Sequence, residues 1–363
     1  MPFVFATLLL LLSCHPTRYV PQDASLLDKN HISVNREGVG RKALEPFIKQ
    51  KPNKRIFGVR FHLGLYNLSN VRKDGWPHSW LRKIGEEPVI YDPYLTGKSV
   101  EQIQSYVASK GYFDARVTDT VSTEKQKSEV FYNIALKSPY RIRNLYYEFA
   151  DSLIGSWFYF DSLNCQIVRD SRYDVDVLQA EQLRFEKFIK DRGFYGFSRE
   201  HIYFRVDSTI GNRQVDIYYG IRQFTHIDEN NRTSTLPHSL YRIRNVYIYP
   251  DFVPRDALER GEAYISSLDT TEYGGYYFIS SGKKPDIKYD LLIQSLYLNP
   301  GSMFSLTNTE QTQSHLLGLK TYRLVNIFYT EVSEGVDGRG DEPRLDCNIQ
   351  LTLLSQQSYR VEL

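Results

Sequence analysis

Two stretches about a hundred residues apart carry the same alternation of apolar and polar positions. Tyr140-Arg-Ile-Arg-Asn-Leu-Tyr-Tyr147 returns as Tyr241-Arg-Ile-Arg-Asn-Val-Tyr-Ile248, identical over YRIRN. Ile142 and Leu145, and Ile243 and Val246, stand among Tyr and Arg with the period of a half-buried strand. The offset has the size of a domain rather than of a solenoid repeat, which predicts tandem modules that each open with a strand. The helical period appears where Val100, Ile103, Tyr106 and Val107 share one face, predicting a helix over 100–110 capped by Thr96 or Ser99 and ended by Gly111. It returns over 177–192, with Asp176 before it, Leu183, Phe185, Phe188 and Ile189 along it, and Gly193 after it. Both glycines stand where a left-handed residue ends a helix, and both precede aromatic pairs, Tyr112-Phe113 and Phe194-Tyr195.

Strands are predicted from Ala115, over 130–136, over 202–206 and over 215–221, and a third set over 322–332 and 345–354 follows helices at 290–298 and 307–319. Each module therefore reads as β-α-α-β-β: α+β, a three-stranded mixed sheet backed by helices. The modules run over 29–138 (with an insertion), 139–225 and 240–356 (with an insertion at 251–285). His31–Asn35 is a short strand, 41–50 a helix, 56–68 undecided between types, 73–87 a connection and 225–237 a polar connector.

The N-terminus has a different pattern. Residues 2–12 form an apolar run too short to span a bilayer as a helix but suited to a signal peptide. Leu11-Leu12-Ser13-Cys14 resembles a bacterial lipobox, which implies a signal peptide over 1–13, lipidation of the Cys14 thiol and a polar tether over 14–28. The run has no Lys or Arg before it, and an ordinary secretory signal containing a Cys is the alternative. No later stretch approaches eighteen apolar residues.

Composition narrows the function. Basic and acidic residues nearly balance, 45 against 43, which argues against nucleic acid as a partner. The 28 Tyr and 20 Phe suit sheet surfaces. Cys165 and Cys347 read as small buried hydrophobes. No HExxH, CxxC, GxSxG or P-loop pattern occurs, and the eight histidines include no i,i+4 pair. The loop 337–342 lacks the ligand spacing of a calcium loop. We therefore expect no catalytic residues, no metal and no cofactor. The basic run 49–55 reads as a solvated turn rather than a lipid-headgroup patch.

The lipobox, the β-α-α-β-β modules and the helix-ending Lys110-Gly-Tyr-Phe113 together resemble the polypeptide-transport-associated (POTRA) modules of outer-membrane assembly proteins. With 49–58, 85–91 and the two YRIRN strands, the chain looks most like the lipoprotein, TamL-like branch of the BamA/TamA family. In that family a membrane β-barrel follows the modules; here 357–363 reads as its start, with no residues left for the eight or so strands a small barrel needs. The resemblance implies an outer-membrane location through the lipid anchor, periplasmic modules, and binding of unfolded outer-membrane proteins or envelope-spanning partners by strand addition at a sheet edge. It places the edges at 116–121, 202–207 and 322–330, and Tyr322, Leu324, Asn326, Phe328 and Thr330 are the strand-pairing candidates. A structural envelope lipoprotein without clients is the rival reading, with a lipid-anchored hydrolase behind it.

Overall fold

The structure, a computed structural model, describes residues 16–227, 233–282, 287–332 and 343–354. The expectations for the signal peptide, Cys14, the loop 337–342 and the segment 357–363 lie outside the described residues.

The first sheet is built from β1 (Leu26–Val34), β2 (Arg116–Glu124) and β3 (Lys127–Ala135) in the order β1-β3-β2, with β1 parallel and β2 antiparallel to β3. Lys125 and Gln126, both at positive φ, form the two-residue turn of the β2–β3 hairpin. Between β1 and β2 come α1 (Arg41–Leu44), α2 (Phe61–Leu68), α3 (His78–Ile84) and α4 (Pro93–Ser109). Helix α4 starts seven residues before the expected Val100. Its cap is Asp92, which accepts from the Tyr94 N–H at 2.8 Å, and Pro93 is its first residue. Thr96 and Ser99, the expected caps, are buried inside the helix; Ser99 Oγ donates to the Leu95 carbonyl at 2.7 Å, the local bond that lets a hydroxyl sit within a helix. β1 likewise starts earlier than His31, so Leu26–Asp28 belong to the sheet and not to the tether. Leu27 packs with Ile103 and Val107 of α4 and with Val130, Tyr132 and Ile134 of β3.

The second sheet has the order β4-β6-β5: β4 (Arg141–Phe149), β5 (Ile202–Asp207) and β6 (Gln214–Ile221). Its helices are α5 (Ser152–Asp161) and α6 (Val175–Lys190). Helix α5 has no periodic signature in the sequence, because Leu153, Tyr159 and Phe160 remain exposed while Ile154 and Phe158 are buried. Asp151 starts it, accepting from the Leu153 and Ile154 N–H groups. The connector expected as polar coil holds a short hairpin, β7 (Phe224–Ile227) with β8 (Thr233–Leu236).

The third sheet departs most from expectation. β9 (Arg242–Tyr249) is followed by α7 (Pro254–Arg260), α8 (Glu262–Ser266), β10 (Asp269–Tyr273) and β11 (Tyr276–Ser280). Then come α9 (Tyr289–Gln294), α10 (Leu306–Gly318), β12 (Tyr322–Val332) and β13 (Arg344–Leu353). The insertion thus supplies a hairpin whose β11 runs parallel to β9, and the sheet has five strands, β10-β11-β9-β13-β12. Its β9-β13-β12 part repeats the first sheet's arrangement: a parallel pair, then an antiparallel edge strand.

The chain divides into two compact units, Met1–Asn144 with Val168–Asp176 and Asp207–Asp216, and Leu145–Ile167 with Val177–Val206 and Ile217–Leu363. In the first, the Tyr140 N–H donates to the Gly111 carbonyl at 2.8 Å, the Tyr173 N–H to the Tyr140 carbonyl at 3.0 Å, and the Ile142 N–H to the Ser171 carbonyl at 3.0 Å. The second repeats the set: Tyr241 to Gly193 at 2.8 Å, Phe304 to Tyr241 at 3.0 Å, and Ile243 to Ser302 at 2.8 Å. Three positions of the YRIRN phrase therefore have an account. Its Tyr ties the strand to the preceding helix-ending glycine, and its Ile is core, Ile142 and Ile243 being buried. Its second Arg makes a two-pronged pair with an Asp on the neighbouring strand: Arg143 with Asp216, Arg244 with Asp346.

Candidate functional site at the sheet edges

Gly111 and Gly193 follow the helices α4 and α6 at φ +86° and +98°. A Cβ on Gly111 would come within 2.5 Å of the Tyr173 carbonyl oxygen, whereas on Gly193 it would meet the ends of Met303 and Leu240 at 3.2 and 3.3 Å and the Tyr241 carbonyl oxygen at an ordinary 3.6 Å. In the third sheet Lys320, at φ +55°, stands after α10 where the other helices have glycine.

Each sheet ends on the strand that follows this helix, β2, β5 or β12, and among the described residues each has one strand neighbour. A strand's backbone groups point alternately to its two sides, and the side chain of one helix glutamine marks which residues of each edge face outward. Gln104 of α4 donates to the Ala115 carbonyl at 2.9 Å and accepts from the Val117 N–H at 3.1 Å. Gln182 of α6 donates to the Ile202 carbonyl at 2.8 Å, and Gln313 of α10 to the Val325 carbonyl at 3.0 Å. The glutamines thus occupy the first outward positions. Beyond them the outward series continues with Asp119, Val121 and Thr123 on β2, with Phe204 and Val206 on β5, and with Ile327, Tyr329 and Glu331 on β12.

The five strand-pairing candidates fall differently. Tyr322 is buried and precedes the bulge between Tyr322 and Leu324, so it lies before the glutamine-capped position. Leu324, Asn326, Phe328 and Thr330 are exposed on the sheet face that α10 does not cover, and their backbone groups turn toward β13, opposite Thr352, Gln350, Asn348 and Asp346. They would flank an added strand with side chains, while the bonding groups belong to the odd-numbered residues. The alternation was legible in the sequence; its phase was not, because the bulge shifts it by one. Tyr329 faces the other side, where its hydroxyl meets Thr309 Oγ1 at 2.6 Å and its ring lies 5.1 Å from Phe304 and 5.6 Å from Tyr195. The far edge, β10, is wholly exposed and carries Asp269 and Glu272, charges that blunt an edge.

Cys347 is buried and Cys165 half-buried, both as free thiols. Burial pushes the Cys165 thiol up to about 11 and the Cys347 thiol up to about 12, so neither supplies a thiolate at neutral pH. Among the described residues no group of three His, Cys, Asp or Glu is placed to hold a metal ion, and no helix is long and apolar enough to cross a membrane.

Residues 42–137, from α1 to just beyond β3, match the POTRA family, described as surface antigen variable number repeat. A search of curated protein sequences returns no match. Among solved structures, the chain is similar to POTRA3-5 of BamA from Haemophilus influenzae, at 10% identity and a TM-score of 0.40, covering 92% of this chain and 99% of that one. The N-terminal domain of Omp85 from Thermosynechococcus elongatus aligns at 10% identity and a TM-score of 0.24, covering 93% of this chain and 100% of that one. POTRA1-3 of Omp85 from Anabaena aligns at 9% identity and 0.24, over 93% and 98%. Around the matched stretch the α+β fold, a mixed three-stranded sheet backed by helices, is that of a POTRA module.

Proposed function

We propose that the chain is the partner-binding POTRA region of an outer-membrane protein assembly or translocation lipoprotein, and that it binds extended client segments by strand addition, chiefly along β12. The observation that carries this reading is an edge strand of eleven residues, capped by Gln313 at its start and, among the described residues, without a strand neighbour along the outward side of Ile327, Tyr329 and Glu331. Backbone pairing of this kind depends little on client sequence, which suits a receptor for many unfolded barrel proteins. The membrane anchor in this reading is a lipid on Cys14, with the modules on the periplasmic side.

The test is a pair of prolines. Ile327→Pro removes an outward N–H, whereas Phe328→Pro removes a donor to β13. Binding of an unfolded barrel-protein peptide to the full chain should fall at least tenfold in Ile327→Pro while its melting curve stays near that of the parent. Phe328→Pro should instead lower stability. Unchanged peptide affinity in a folded Ile327→Pro protein rules out this edge and leaves the structural-lipoprotein reading.

A further inference from the structure

We infer that the segment 56–84, including α2 and α3, is a membrane-surface contact that rests on the phospholipid bilayer, with Phe57, Leu68, Trp76 and Trp80 at headgroup depth. The inference builds on the reading of Cys14 as the lipid-bearing residue.

The first observation is exposure. Phe57 is fully exposed, Trp76 is 83% exposed, Leu68 52% and Trp80 51%, and α3 buries none of its residues. Phe57 sits on the tip of a tight turn at φ +49°, where Ile56 and Val59 exchange backbone bonds of 2.8 and 3.0 Å. A bulky residue is unfavourable in that conformation, and nothing within the fold compensates by burying the ring. The second observation is charge. Between residues 54 and 84 there are seven Lys and Arg and one Asp. Arg55 and Arg60 pair with Asp28 and Arg82 with Asp74, while Lys54, Arg72, Lys73 and Lys83 are exposed. Exposed Trp and Phe interleaved with Lys and Arg match the chemistry of the bilayer interface, where rings sit among headgroups and basic groups meet anionic lipid.

The third observation fixes the occupant. The chain next to Cys14 is tied to the end of α2: Asn67 Nδ2 donates to the Pro16 carbonyl at 3.3 Å, Arg18 donates to the Asn67 carbonyl at 2.7 Å, and the Tyr19 hydroxyl to the Ser69 carbonyl at 2.5 Å. Two residues span at most about 7 Å. Acyl chains on Cys14 would therefore enter the bilayer beside exposed Leu68 and Val71, bringing the lipid surface to this segment.

The test uses the full-length protein with Trp157→Phe, so that emission comes from Trp76 and Trp80 alone. In vesicles of phosphatidylethanolamine and phosphatidylglycerol the emission should shift to the blue, be quenched by brominated lipid and lose at least half of its acrylamide quenching, relative to the Cys14→Ser form in buffer. Vesicle-attached protein with tryptophans as accessible as in buffer overturns the inference. Mass spectrometry of the mature N-terminus tests the anchor separately. If Cys14 proves unmodified, the lipoprotein reading fails and the surface is judged on vesicle co-sedimentation of the unmodified chain. Binding abolished in a folded Phe57→Ser, Trp76→Ser, Trp80→Ser variant then sustains the inference, and absence of binding overturns it.

Discussion

Single residues separate the two helix-ending glycines. Both take positive φ, so a Cβ at either costs about 1–2 kcal/mol of backbone strain. At Gly111 that Cβ would also clash with a carbonyl oxygen, at 2.5 Å, whereas at Gly193 the nearest carbonyl oxygen is 3.6 Å away. Gly111→Ala should therefore destabilise clearly more than Gly193→Ala, where Met303 and Leu240 can yield; urea denaturation checks the order. The arginine of the repeated phrase makes a second prediction. Its guanidinium is the main cause that holds the Asp216 carboxyl below the usual carboxylate range, against the opposing effect of burial. A depressed folded-state pKa contributes stability above the unfolded value of about 3.9, and the contribution is lost as pH falls through the folded value. Arg143→Met should cost about 1.5–3 kcal/mol at neutral pH, and the difference from the parent should close below about pH 4. Melting both proteins across that range is the measurement.

At the scale of elements, the glutamine contacts join helix and edge strand without any fixed sequence spacing. Gln104 and Gln313 each stand seven residues before the left-handed residue after their helix, and Gln182 stands one turn earlier. No pattern search would have aligned them, whereas the helices and strands they connect were largely legible. Strand β12 falls on the strand expected over 322–332, α4 and α6 were found from their apolar faces, and α10 falls on the helix expected over 307–319. The misses have separate causes. In α5 exposed aromatics mask the helical period, and in the insertion of the third module β10 is exposed along its whole length, so this strand of the hairpin with β11 shows no apolar alternation. Replacing Gln104 with Leu leaves the Ala115 carbonyl and the Val117 N–H, both on buried residues, without their partner. The expected loss is about 1–3 kcal/mol, against about 1 kcal/mol for Gln182→Leu or Gln313→Leu, where one bond is lost. Thermal unfolding of the three variants gives the ranking.

For the whole molecule, the module ends expected at 138 and 139 do not coincide with the ends of interactions. Lys110 pairs with Asp174 and Asp176, Gly111 receives the Tyr140 N–H, and Phe113 packs on Tyr140 and Tyr173 at 4.8 and 5.2 Å. A fragment ending at residue 138 lacks every one of these partners. It should melt several degrees below the corresponding transition of the full chain, and in it Gly111→Ala should cost only the backbone term, since the Tyr173 carbonyl is gone. Equal costs of Gly111→Ala in fragment and full chain would show that the clash is relieved by other means. The repeat of YRIRN pointed to the tandem arrangement, but the ties that follow each copy join residues distant in sequence, and no local pattern encodes them.

If β12 receives client strands as proposed, Gln313 has a kinetic consequence. By occupying the Val325 carbonyl it leaves the three outward residues beyond, with six backbone groups, each of which would contribute about 0.5–1.5 kcal/mol net to a captured strand. Set against the several kcal/mol lost on association, so short a ladder holds its guest only briefly. A segment that lets go quickly can be passed onward before it collapses on itself, and firm retention would require the same chain to touch more than one edge at once. In that proposed role, the helix side chain that closes the start of the strand would set the dwell time.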